Sequence, residues 1–175
     1  MKRYRIFVSG VQKELKEERF AVKELILENS LLKKHFDVFL FEDLPAESKS
    51  ADKTYLNEIN KSDIYLGILG YEYGTKGVDG LSATEQEFRE AVKKEKEILI
   101  FLKGKDDSKR EKELREIIYE IKKPDSGYVY KRFENTVELK NAIFNSLVVL
   151  LEDEGVISSF PFDYRLCQGG LPIKI

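Results

Sequence analysis

The 175-residue chain carries one cysteine, Cys167, and one histidine, His35. A single cysteine cannot close an intramolecular disulfide, and the two residues together cannot assemble a zinc-type ligand set. No metal is expected. Neither residue has a setting for nucleophilic chemistry: His35 precedes a strand without a triad partner, and Cys167 has no nearby histidine or Cys-x-x-Cys spacing. No apolar run approaches the roughly 20 residues needed to span a bilayer, and the opening Met1-Lys-Arg-Tyr-Arg5 leads into a strand rather than a signal-peptide core. The expectation is a cytoplasmic protein without membrane attachment. An excess of one charge is also missing. Thirty Lys and Arg stand against 32 Asp and Glu, so no overall field draws in nucleic acid, and direct nucleic-acid binding by this domain is not expected. The run from Lys103 to Glu116 mixes both signs closely and reads as a solvated helix, not a phosphate track.

What the chain does have is core-forming material. It is 42% hydrophobic, with 11 Phe and 9 Tyr, enough for one compact domain, placed at 1–152. Residues 153–175 break periodicity at Ser158-Ser-Phe-Pro-Phe162 and Cys167-Gln-Gly-Gly-Leu-Pro172, and are expected to form an irregular tail or a linker toward a C-terminal effector region. Strands are predicted at 5–9, 35–41, 64–70, 98–102 and 128–133. Helices are predicted between them, near 52–61, 84–96 and 108–122, and from the stripe Val11, Leu15, Val22, Leu25 and Ile26. A last helix offers Val137, Ala142, Ile143, Leu147, Leu150 and Leu151 as its buried side. Strand 3 is almost wholly apolar, the habit of a central parallel strand buried on both faces. This βαβ alternation predicts a flavodoxin-like, doubly wound, five-stranded parallel sheet of order 2-1-3-4-5 with helices on both faces.

In that topology the switch point lies between strands 1 and 3, and ligands bind outside the strand carboxyl ends. The loops after Ser9 and after Gly70 are thereby brought to one crevice. Candidates for ligand binding there are Ser9 and Gly10, whose following N–H groups can hold a phosphate or ribose hydroxyl. Gly70, Tyr71, Tyr73 and Gly74 belong to the glycine-rich loop after strand 3, where either tyrosine ring can stack on a base while its hydroxyl stays wet. Ser82 and Thr84 open the next helix, as ligand contacts or as a cap. No complete NTP-binding P-loop is present, which argues against ATP hydrolysis. Arg19 falls near the apolar stripe of helix 1, so a structural ion pair is expected, with Asp43 or Asp63 as partner. Asp43, at the end of strand 2, is also a candidate on the ligand side.

Four blocks, Ile6-Phe-Val-Ser-Gly10, Glu14-Leu-Lys-Glu-Glu-Arg19, Ser62 to Gly70 with Tyr73-Gly74, and Ser82 to Ala91, together resemble the TIR-like family of unknown function number 4062 over residues 4 to 102. Gly10 stands where that family usually has a second serine, and Gln12-Lys13-Glu14 replaces a pattern ending in Asp-Leu. The resemblance implies a flavodoxin-like fold related to TIR domains and nucleoside deoxyribosyltransferases. It also implies an N-terminal module of a larger NTPase, helicase-like or regulatory protein. The deoxyribosyltransferase pattern is matched by Thr84, Glu87 and Ala91, with Ala83 where a glycine is usual.

Two functions follow from that resemblance. One is a sensor or interaction module, self-associating or working through an attached C-terminal domain, with or without a nucleotide-like ligand. The other is N-glycosidic bond cleavage or transfer on a nucleoside or NAD, with no cofactor required, in which a carboxylate stabilises or attacks the oxocarbenium-like sugar. Glu87 is the first candidate for that catalytic role and Glu85 the competitor. Two helical positions separate them by about 200°, so only one can face the sugar. The alternative is that both are first-turn carboxylates favoured by the helix dipole.

Overall fold

The computed structural model describes residues 3–45 and 51–158, the side chains of 51–53 excepted. Most of the expected tail, with Phe160, Phe162, Tyr164 and Cys167, lies outside the described residues, as does part of the polar loop after strand 2. Elements follow in the order β1 (Tyr4–Ser9), α1 (Lys16–Glu28), α2 (Leu32–His35), β2 (Phe36–Phe39), a 3-10 turn (Phe41–Asp43), α3 (Ala51–Lys61), β3 (Ile64–Leu69), α4 (Ala83–Lys93), β4 (Glu97–Lys103), α5 (Lys112–Ile121), β5 (Tyr130–Phe133) and α6 (Thr136–Asp153). The five strands form one all-parallel sheet in the order β2-β1-β3-β4-β5. This is the flavodoxin-like arrangement expected from the alternation.

Side chains alternate across each strand, and the sheet accordingly has two cores. One face carries Ile6, Val8, Leu66, Ile68 and Phe101 against α1 and α6, through Leu15, Val22, Ile26, Leu139, Ile143 and Leu147. The other carries Phe7, Tyr65, Leu69, Ile100 and Leu102 against α3, α4 and α5, through Tyr55, Ile59, Phe88, Ala91, Leu114 and Ile118. Every residue of β3 is buried, because β3 lies inside the sheet with helices over both of its faces. Ser9 pairs in register with Gly67, and Gly67 with Ile100.

Some boundaries differ from expectation, each for a local reason. The short α2 was not anticipated; Asn29 Oδ1 accepts from the Leu31 and Leu32 amides at 3.0 Å and starts it. In α6 the buried stripe runs through Leu139, fully buried, while Val137 is 66% exposed. Asn135 caps that helix by accepting from Glu138 N, and Glu138 reaches back to Glu134 N, which places Val137 in a first turn rotated toward solvent. Helix α5 begins at Lys112, not near 108, because Arg110 is drawn under the sheet edge. The charge run is therefore not simply a solvated helix.

Candidate functional site

At the carboxyl end of β1 the strand presents Val8 to the α1 face and Ser9 to the α4 face. Gly10 follows with φ +148°, and a Cβ there would lie 2.6 Å from Ile68 O. The glycine thus serves close approach of the β1 loop to the β3 backbone. Ser9 is fully buried and donates its hydroxyl to Glu87 Oε2. Glu87 comes from the second turn of α4, which packs on that same face, and is itself half-buried. Burial pushes its carboxyl up to about 7; the Ser9 hydrogen bond and the Arg19 charge oppose that rise, and Glu42 adds to it. A carboxylate poised near neutrality at the switch point between β1 and β3 is suited to acid, base or nucleophilic work.

Tyr65, on β3, reaches the same place from below. Its ring runs along the strand over Gly67, where a Cβ would come within 2.8 Å of Tyr65 Cε1 and 3.3 Å of its hydroxyl. Since Gly67 is the register partner of Ser9, the phenol lies at the level of Ser9. Its hydroxyl is buried and makes no well-formed hydrogen bond. Burial, and after it the Glu87 charge, push the phenol well above its ordinary range, with Ser9 and Arg19 opposing. Sequence reading missed this residue.

Beneath β1, Arg19 is 2% exposed. Its Nη1 donates to Val8 O and Gly10 O, both at 3.1 Å, and its Nε and Nη2 clasp the two Glu42 oxygens at 2.6 and 2.7 Å. The expected ion pair is present with a different acid: Asp43 pairs instead with Lys23 at 2.6 Å, and Asp63 accepts from Arg5 N at 2.8 Å. The 3-10 turn carries Glu42, not Asp43, back under the strand. Burial alone would raise Glu42, but the Arg19 hydrogen bonds and charge hold it below its ordinary range.

A second buried arginine mirrors the first. Arg110 donates to Leu69 O, Gly70 O and Lys103 O at the ends of β3 and β4 and to Asp107 at 2.8 Å. Asp107 also receives Lys122 and Arg132. Burial disfavours its charge, yet the three cations hold it far below the usual carboxylate range. Arg19 and Arg110 thus tie off carbonyls at the sheet edge with guanidinium groups.

The remaining candidates fall around this edge without sharing one role. Glu14 accepts from Tyr71 N and Glu72 N at 2.5 and 3.1 Å. Gly70 makes room for it, since a Cβ there would be 2.3 Å from both Glu14 carboxylate oxygens. Tyr71 has Arg110 over one ring face at 5.2 Å and its hydroxyl against Gly104. Tyr73 is 3% exposed; its hydroxyl accepts from Ser82 N at 3.1 Å and donates to Glu85 at 2.5 Å. The expectation of a wet hydroxyl on Tyr73 is corrected: the loop folds the ring inward as a clamp on the start of α4. Ser82 caps α4 by accepting from Glu85 N at 3.3 Å, and Thr84 is buried in its first turn. Gly74, at φ +90°, packs beside Val11 and Ser82. Glu85 is bound by Tyr73 and by Arg89 at 2.5 Å, and lines a separate cavity of about 200 Å³ with Leu81 and Ile117. The helical offset therefore separates the two acids as the spacing required, Glu87 toward Ser9 and Glu85 away from it. Among the described residues no cluster of three His, Cys, Asp or Glu is placed to hold a metal ion, and no helix is long and apolar enough to cross a membrane.

Among solved structures the fold is similar to the Clostridium botulinum CMP N-glycosidase BcmB, at 18% identity over 81% of this chain and 98% of that one, with a TM-score of 0.51. A conserved protein from Enterococcus faecalis V583 aligns at 12% identity and TM-score 0.43, covering 82% of this chain and 99% of that one. Oxidised flavodoxin 1 from Bacillus cereus aligns at 15% identity and TM-score 0.39, covering 86% and 97%. No curated protein matches the sequence. The model of the family described as "Domain of unknown function (DUF4062)" matches residues 5–148, and the chain belongs to that family.

Proposed function

We propose that this domain breaks or transfers the N-glycosidic bond of a nucleoside, nucleotide or NAD, with Glu87 as the carboxylate that meets the sugar. The observation that carries the reading is the Ser9–Glu87 pair: the acid singled out by its place in α4 is held at the carboxyl end of β1. Ser9 fixes Oε2, and Oε1 is the oxygen this reading assigns to the anomeric carbon. As the C–N bond breaks, its electron pair departs with the base, which leaves neutral as nicotinamide or, as a nucleobase anion, takes a proton from water, and a Glu87 oxygen bonds the sugar carbon or stabilises its positive charge. Water or an acceptor base then attacks that carbon and releases the carboxylate. A CMP N-glycosidase with the same fold fits this class of chemistry, although at that identity the likeness speaks to fold.

The family resemblance also allows a sensor or interaction module without turnover, and the exposed Phe20 and Leu27, one helical stripe on α1, favour it as the second reading. One experiment separates the two. Concentrated protein is incubated with NAD, nucleosides and nucleoside monophosphates, and free base is followed by chromatography while size is monitored. Base release that Glu87→Gln abolishes supports the first reading; self-association or ligand binding without release, unchanged in Glu87→Gln, supports the second.

A further inference from the structure

Tyr65 is clamped between Phe7, 6.4 Å away and stacked at 13°, and Phe88, 6.1 Å away and tilted at 53°. A phenylalanine would fill that slot equally well, so packing does not call for a tyrosine. The hydroxyl is instead carried over Gly67 to the level of Ser9 and left there, buried and short of a well-formed hydrogen bond, with Ser9 the polar side chain that acts on it. A buried polar group in that condition demands an explanation, and here the polar side chain alongside it is the serine that holds Glu87.

We propose that Tyr65 is a positioning residue, its hydroxyl backing Ser9 so that the serine proton points to Glu87 in a chain Tyr65 to Ser9 to Glu87. The link is made by the orphaned hydroxyl closing onto Ser9, Tyr65 giving its proton to Ser9 Oγ, one of whose lone pairs remains after Ser9 has donated its own proton. Each donation polarises the next, which strengthens the bond to the carboxylate. Tyr65 is buried behind Ser9, and its hydrogen-bonding route to the carboxylate runs through the serine. The groups acting on Glu87 come from four elements: Ser9 from β1, Tyr65 from β3, Arg19 from α1 and Glu42 from the 3-10 turn. Of these, only Ser9 is hydrogen-bonded to Glu87. This inference deepens the proposed site, but its test needs no turnover.

The test is a double-mutant cycle read by NMR titration of carboxyl-labelled glutamate in the full chain, with the Glu87 resonance assigned by its loss in Glu87→Gln. Tyr65→Phe is expected to raise the Glu87 midpoint by about half a unit, a roughly threefold change in its proton affinity. The same substitution in a Ser9→Ala background is expected to add nothing further. An unchanged midpoint in Tyr65→Phe overturns the chain, and so does an equal shift in the Ser9→Ala background, which would mean that Tyr65 acts on Glu87 directly. In the unsubstituted protein the Tyr65 hydroxyl proton is expected to exchange slowly and to lose that protection in Ser9→Ala; equal exchange in both would also overturn it. Should base release be absent altogether, the titration still decides the role of Tyr65.

Discussion

Ser9 at the end of β1 gives its hydroxyl to the carboxylate of Glu87 in α4, joining positions 78 apart in sequence across the switch point of the sheet. Removing it takes away a hydrogen bond that favours the ionised acid. Base release is therefore expected to rise with pH through a midpoint near 7 in the unsubstituted chain, and Ser9→Ala is expected to move that limb to higher pH. A pH–rate profile of both proteins checks this.

Keeping Glu87 where it is has a cost in stability. Its folded pKa, about 7, is raised above the ordinary 4.5, so between those values the folded chain binds more protons than the unfolded one. Stability then falls as pH rises through that window. Glu87→Gln removes this dependence. Discounted for partial exposure, the variant is expected to be about 2 kcal/mol more stable than the parent at pH 8.5 and nearly equal at pH 4.5. Urea unfolding at the two pH values measures it.

Arg19 is the reverse case. Truncating it strands the Glu42 carboxylate and the Val8 and Gly10 carbonyls, and Arg19→Ala is expected to cost about 3–5 kcal/mol by urea unfolding. Asp43→Ala, which loses only a surface pair with Lys23, is expected to cost about 0.5 kcal/mol or less.

Gly70 and Glu14 are coupled through space rather than through a ligand. Gly70→Ala drives a Cβ into the Glu14 carboxylate and frees two amides from their acceptor, at about 1–3 kcal/mol. In a Glu14→Ala background the same substitution is expected to cost much less, and the difference between the two costs is the measured coupling.

The sheet order was legible because it rests on periodicity: apolar β3 with helical stripes on either side leaves few alternatives. The opposition of Glu85 and Glu87 was legible from helix geometry. Glu42 was not, since choosing it over Asp43 depends on a 3-10 turn that local spacing does not announce. Arg110 was hidden inside a run of mixed charge, where nothing separates a buried guanidinium from its solvated neighbours. Tyr65 was lost in an apolar strand; only the parity that puts Ser9, Gly67 and Tyr65 on one face, with a glycine to admit the ring, could have marked it.

Whether Glu87 handles the sugar or only favours the start of α4 is decided by turnover. The most direct measurement is base release from a panel of NAD, nucleosides and nucleoside monophosphates by the parent chain, Glu87→Gln and Glu85→Gln, with folding verified for each by urea unfolding. Release by the parent, its loss in folded Glu87→Gln and its persistence in Glu85→Gln are expected. Release that survives in Glu87→Gln, or its absence from the parent across the whole panel, would contradict a role for Glu87 at the sugar.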